Sequence, residues 1–126
     1  MNNSQQRDTI LKVVNSSCDH PNAEVVLERA REIMPSINIA TVYRNLAVLE
    51  SAKKILRISI PNGDRFDKTL TPHAHFRCQK CDKIFDIDLD DLNQCVIDTR
   101  RKYSCQIDKV DLVFSGLCVN CKKNLN

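Results

Sequence analysis

The sequence predicts an α+β fold in two small domains: helices and a β-hairpin come first, then a mixed module organised by cysteines. Three observations predict it. Apolar residues recur at helical spacing in three segments up to Ser51. The period then changes to an alternating run over residues 55–60, followed by a Pro-Asn-Gly-Asp turn and a short Arg-Phe-Asp return. Finally, Cys78 and Cys81, then Cys118 and Cys121, form two CxxC pairs.

Ser4 is placed to cap a first helix whose inward residues are Ile10, Leu11, Val13 and Val14. Cys18 to Pro21 form a loop. Asn22 caps a second helix with Ala23, Val26, Leu27, Ala30 and Ile33 on one face, and Pro35 closes it. Asn38 caps a third helix, with Ile39, Val42, Leu46 and Leu49 inward and Thr41, Tyr43, Arg44 and Asn45 outward. Three helices and a hairpin are the plan of a winged helix-turn-helix, in which the last helix enters the major groove of double-stranded DNA. On that plan Arg44 and Asn45 read base edges, while Thr41 and Tyr43 fix phosphates. Lys53, Lys54, Arg57 and Arg65 surround the hairpin. This DNA-binding domain is expected to span residues 1–66.

Residues 67–126 read as a second, metal-binding domain. The stretches HFRC and KIFDIDL are strand-like. DDLNQCVIDTRRKYS is a helix with Leu92, Val96 and Thr99 inward, and QIDKVDLVFSGL alternates as a strand that delivers the second CxxC. Short strands leave open edges, which favours dimerisation with a second copy of the chain.

Composition sets limits. A net charge of +3 is only mildly basic, with nine Lys/Arg against seven Asp/Glu through residue 66, so charge alone does not reveal a nucleic-acid binder. The chain has no apolar run long enough to cross a membrane, and MNNSQQRD lacks the apolar core of a secretion signal. A cytoplasmic location follows as the expectation. In that compartment seven cysteines read as metal ligands plus spares rather than a disulfide framework. The spares, Cys18, Cys95 and Cys105, are expected to be small buried hydrophobes.

Two metal sites are expected. Two CxxC turns supply the closed tetrahedral thiolate set that Zn2+ prefers, with a structural role. A redox CxxC is the competing reading, and the expected βαβ context is missing. His73 and His75 point to one face of a strand, either as a chelating pair or as a surface feature. Asp67 and Asp86 flank them, and His20 could complete a set of three histidines and two aspartates. Such nitrogen and oxygen donors suit Fe2+, Mn2+ or Zn2+.

Taken together, IATVYRNLAVLE, the HxHFxCxxCxK stretch and the terminal CxxC resemble the ferric uptake regulator (Fur) superfamily of bacterial metal-dependent repressors, over essentially the whole chain. The resemblance implies a homodimer that binds a DNA operator through its winged helix and carries no enzyme activity. It assigns Cys78, Cys81, Cys118 and Cys121 to structural zinc, and His20, Asp67, His73, His75 and Asp86 to a regulatory Fe2+ or Mn2+.

Aspartate at both positions 67 and 86 resembles the peroxide-sensing, PerR-like branch, whereas iron-sensing members usually carry Glu there. That branch implies Fe2+-catalysed oxidation of a ligand histidine, His20 or His73, followed by release of the operator. The chain departs from the family in SQQR for TPQR, in Asp82 where Gly is usual, and in HAH for HHxH. Rival readings are an iron- or zinc-responsive uptake repressor, a small non-haem iron enzyme, and a metal-stapled interaction module without DNA binding.

Overall fold

The structure is a computed structural model that describes residues 3–70 and 73–124. The chain forms two compact units, Met1–Leu70 and Thr71–Asn126.

Among the described residues the first unit contains α1 (Asn3–Ser16), α2 (Ala23–Ala30), α3 (Ile39–Ser51), β1 (Leu56–Ile58) and β2 (Arg65–Asp67). Ser4 lies inside α1, so it is not the cap. Asn22 and Asn38 do cap: their side chains accept from Val25 N and Thr41 N, each at 2.9 Å. These bonds satisfy amides that the first helical turn leaves without partners. β1 and β2 pair antiparallel, with Leu56 opposite Asp67 and Ile58 opposite Arg65. Gly63, at φ +110°, supplies the left-handed backbone that the turn requires.

Ile10, Val14, Val26, Val42 and Leu46 are sealed at the centre of this unit. Each such side chain contributes about 1.5–3 kcal/mol through burial. Regular helix ends at Ala30 rather than at Pro35, with looser turns through Ile33. Leaving the helical period there turns Ile33 out to 51 % exposure and buries Met34 and Ile37 instead. α3 is buried more widely than its apolar stripe suggests. Thr41 and Asn45, expected outward, are inside at 6 % and 1 % exposure. Both lie on the flank of α3 against which α1 packs: Arg7 Nε donates to Asn45 Oδ1 (3.2 Å), and Asn45 Nδ2 donates to Thr41 O (2.9 Å).

In the second unit the described elements are β3 (Ala74–Cys78), β4 (Ile84–Ile87), α4 (Leu92–Tyr103), β5 (Val113–Gly116) and α5 (Val119–Lys123). The sheet order is β4-β3-β5, with β4 antiparallel and β5 parallel to β3. Strand structure is confined to residues 113–116, shorter than the alternation from 106 suggests, and the five-residue α5 was not foreseen. α4 ends where Ser104 turns left-handed, at φ 52°. Only Leu92 of that helix is buried. Register aligns Phe85, Phe76 and Phe114 across one sheet face. Phe76 and Phe85 stack at 5.1 Å, while Phe85 and Phe114 stay 37 % and 45 % exposed.

Candidate metal centres

The four-cysteine cluster is built on two turns brought together by β3 and β5. Gln79 N donates to Gly116 O at 2.8 Å, which ties the first CxxC to the strand leading into the second. Cys78, Cys81, Cys118 and Cys121 place all four sulfurs within 4.8 Å of one another. The Cys81 and Cys118 sulfurs are 3.8 Å apart. Zn–S bonds of about 2.3 Å in a tetrahedron set sulfurs about 3.8 Å apart, so the donor set fits zinc.

Backbone amides of Cys81 and Cys118 point at Cys78 Sγ, at 3.5 and 3.4 Å. They favour its thiolate and bring its pKa down to about 5. The backbone at Cys121 also lowers Cys118. The thiol of Cys121, donating to Cys118, is held protonated and pushed up to about 12. Asp82 occupies the position after the first CxxC with φ 65°, a left-handed conformation that a short polar side chain tolerates. Its N–H donates to Cys78 O at 2.9 Å, and buried Arg77 donates Nε to its Oδ1 at 2.8 Å. The departure from Gly is thus accommodated with the turn intact.

The histidines and aspartates fall into two sets, one in each unit. In the first unit His20 Nε2 stands 3.4 Å from Asp67 Oδ2, and both side chains are buried. His20 adopts φ 53° in the loop between α1 and α2. Arg65 of β2 donates to the His20 carbonyl, and Phe66 N donates to Pro21 O at 3.0 Å. Asp67 Oδ1 accepts from Thr69 N at 2.9 Å, which fixes the carboxylate as well. In the second unit His73 and His75 each place Nε2 3.3 Å from Asp86 Oδ1. Register sets His75 opposite Asp86, and the two imidazole centroids are 4.4 Å apart. Donors of this kind fit Fe2+ or Mn2+.

The helix surface expected to meet DNA is narrower than the sequence suggests. Tyr43 and Arg44 are exposed; Thr41 and Asn45 serve the packing of α1 on α3. Two of the hairpin cations act as internal braces. Arg57 bridges Glu50 and Asp64, and Arg65 serves the His20 loop. Lys53 and Lys54 are exposed. Cys18, Cys95 and Cys105 are exposed too, contrary to the expectation of buried hydrophobes: they lie in a loop, on the outer side of α4 and just beyond its end. Sequence reasoning missed Arg7, Arg77 and Glu24. Their charges are visible, but their partners are distant in the chain or, for Arg77, beyond a turn.

A winged helix-turn-helix unit followed by a module with metal-competent cysteines and histidines defines a class, the metal-responsive transcription regulators. The sequence profile of the Ferric uptake regulator family matches residues 1–115, and the chain belongs to that family. Its members are transcription factors rather than enzymes. The peroxide-responsive repressor PerR of Staphylococcus epidermidis is 27 % identical over 122 residues, covering 96 % of this chain and 81 % of that one. The Campylobacter jejuni peroxide stress regulator superposes with a TM-score of 0.81 at 26 % identity, covering 94 % of this chain and 90 % of that one. Helicobacter pylori ferric uptake regulator Fur shares the fold, with a TM-score of 0.78 at 24 % identity over 97 % of this chain and 83 % of its own.

Proposed function

We propose that this chain is a homodimeric, metal-dependent repressor that binds a double-stranded DNA operator in the cytoplasm and releases it on meeting peroxide. The observation that carries the reading is the pairing of histidine with aspartate, and not glutamate, in both sets: His20 with Asp67, and His73 and His75 with Asp86. Relatives named as peroxide-responsive repressors add support. Among the described residues no helix is long and apolar enough to cross a membrane. The half-exposed row of Phe85, Phe76 and Phe114 supports burial against a second copy.

In this reading Cys78, Cys81, Cys118 and Cys121 hold a structural zinc, and His20, Asp67, His73, His75 and Asp86 hold the regulatory ion. With Fe2+ bound, these residues would hold a redox-active ion able to activate peroxide beside an imidazole, whereas Mn2+ would occupy the same residues without that chemistry. Asp67 and Asp86 balance the ion's charge. Peroxide, the oxidant, would give one oxygen to a ring carbon of His20 or His73 in place of its hydrogen and leave the other as water, and the oxidised ring would be a poorer donor. Loss of His20 as a ligand would release the winged-helix unit from the ion, while Arg65 and Phe66 still tie the His20 loop to the hairpin, and the operator would be released. Tyr43 and Arg44, both exposed on α3, are the side chains that meet DNA in this reading.

The test is operator binding by metal-loaded protein carrying Arg44→Ala. Loss of operator affinity with Mn2+ affinity unchanged is the expected result. Wild-type operator binding by this variant would remove Arg44 from DNA recognition.

A further inference from the structure

We infer that Glu24 sets the hydrogen-bonding polarity of Tyr43, so that Tyr43 accepts from the exocyclic amino group of an adenine or cytosine instead of donating to a phosphate. The inference rests on the DNA-binding reading above. Tyr43 projects from α3 beside Arg44 and is 50 % exposed. Its hydroxyl donates to Glu24 Oε1 at 3.0 Å. Glu24 is held in the first turn of α2, directly after the Asn22 cap and Ala23.

A phenol carries one proton and two lone pairs. With the proton committed to a carboxylate, only lone pairs face outward. The same carboxylate raises the phenol's pKa, so the proton stays on oxygen.

The surroundings reinforce this polarity. Glu24, Tyr43, Asn62, Gly63 and Asp64 border a cleft of about 330 Å³ between the start of α2 and the turn of the hairpin. Arg57 lines the same cleft and is paired with Asp64, so Glu24 is the carboxylate that faces Tyr43 and disfavours a phosphate oxygen there. In the major groove, adenine N6 and cytosine N4 present donors, whereas guanine O6 and thymine O4 present acceptors. An acceptor-only tyrosine therefore selects adenine or cytosine. On this inference Tyr43 reads a base, where its residue type alone suggests a phosphate contact. Glu24 acts as a positioning residue, through Tyr43.

The experiment is selection from a random duplex pool by full-length, Mn2+-loaded protein, followed by affinity measurements on the selected duplex and on an unselected one. Wild type is expected to enrich adenine or cytosine at one position in each half-site. Tyr43→Phe is expected to lose that preference and to bind the selected duplex roughly 10-fold more weakly, as loss of a base contact does, with unselected duplex bound as before. Glu24→Ala frees the hydroxyl to donate as well as accept, and its pool is expected to lose the adenine-or-cytosine preference and admit guanine and thymine. Glu24→Gln keeps an accepting oxygen and is expected to restore the wild-type preference.

Uniform weakening of both duplexes by Tyr43→Phe would assign Tyr43 to a phosphate and overturn the inference. An unchanged preference in Glu24→Ala would also overturn it, with DNA binding intact. Failure of the metal-loaded wild type to enrich any duplex would instead overturn the DNA-binding reading and the inference with it.

Discussion

His20 Nε2 lies 3.4 Å from Asp67 Oδ2, with both side chains buried in the same unit. The hairpin makes this pairing. β2 ends in Asp67, and the two residues before it hold the His20 loop through the carbonyls of His20 and Pro21. A candidate ligand pair fixed by backbone contacts is pre-organised, so little ordering would remain for an ion to impose.

Asp67→Asn tests that pair. The amide oxygen can still accept from Thr69 N, so the fold should hold, but the anionic donor is gone. Mn2+ affinity is expected to fall by at least the roughly 10–100-fold that loss of a supporting partner costs at metal sites. Titration calorimetry, with an unfolding scan beside it, checks both expectations.

The cysteine site predicts a pH dependence for metal-free protein. Cys78 has a folded pKa of about 5 against an ordinary 9.0. A depressed value means that its contribution to stability is complete above pH 9, shrinks as pH falls, and is gone below about 5. Cys121, raised to about 12, acts oppositely and above that window, losing its contribution as pH rises from 9 to 12. The exchange protection of β3 and β5 amides, taken against the intrinsic base-catalysed rate at each pH, should therefore fall as chelator-treated protein is taken from pH 9 to pH 5. Restoring Zn2+ at neutral pH should slow that exchange and release protons.

Asn45→Ala separates packing from recognition. It leaves Arg7 Nε without its partner at a site only 1 % exposed, while Thr41 O keeps the helical N–H of residue 45. The expected cost is about 1–3 kcal/mol of stability in the first unit. Base preference of the metal-loaded protein should not change. Denaturant unfolding and duplex selection measure the two separately.

Asp82 gives a graded pair. Asp82→Ala keeps the left-handed strain and removes the carboxylate that buried Arg77 contacts, for an expected loss of about 1–3 kcal/mol. Asp82→Gly removes the same carboxylate but relieves about 1 kcal/mol of backbone strain. Thermal unfolding of zinc-loaded protein should therefore rank wild type above Gly, and Gly above Ala.

Much of this architecture could be read from local signals. The two Asn caps, the Asn-Gly turn and both CxxC pairs act over three or four residues, so a single sequence displays them. What escaped depends on neighbours distant in the chain. Thr41 and Asn45 look like surface residues until α1 is seen to cover that flank of α3. Arg57 and Arg65 look like phosphate contacts until Glu50, Asp64 and the His20 carbonyl are placed beside them. The same holds for the candidate metal ligands. Spacing offers His73 and His75 as a pair, while the pairing of His20 with Asp67 requires a loop folded back on β2.

Peptide mass spectrometry after dilute peroxide is added to Fe2+-loaded and Mn2+-loaded protein tests the central claim most directly. The account predicts one added oxygen on the peptide bearing His20 or His73 in the iron sample, with none in the manganese sample. Absence of histidine oxidation in both samples would contradict it and leave a repressor that responds to metal alone.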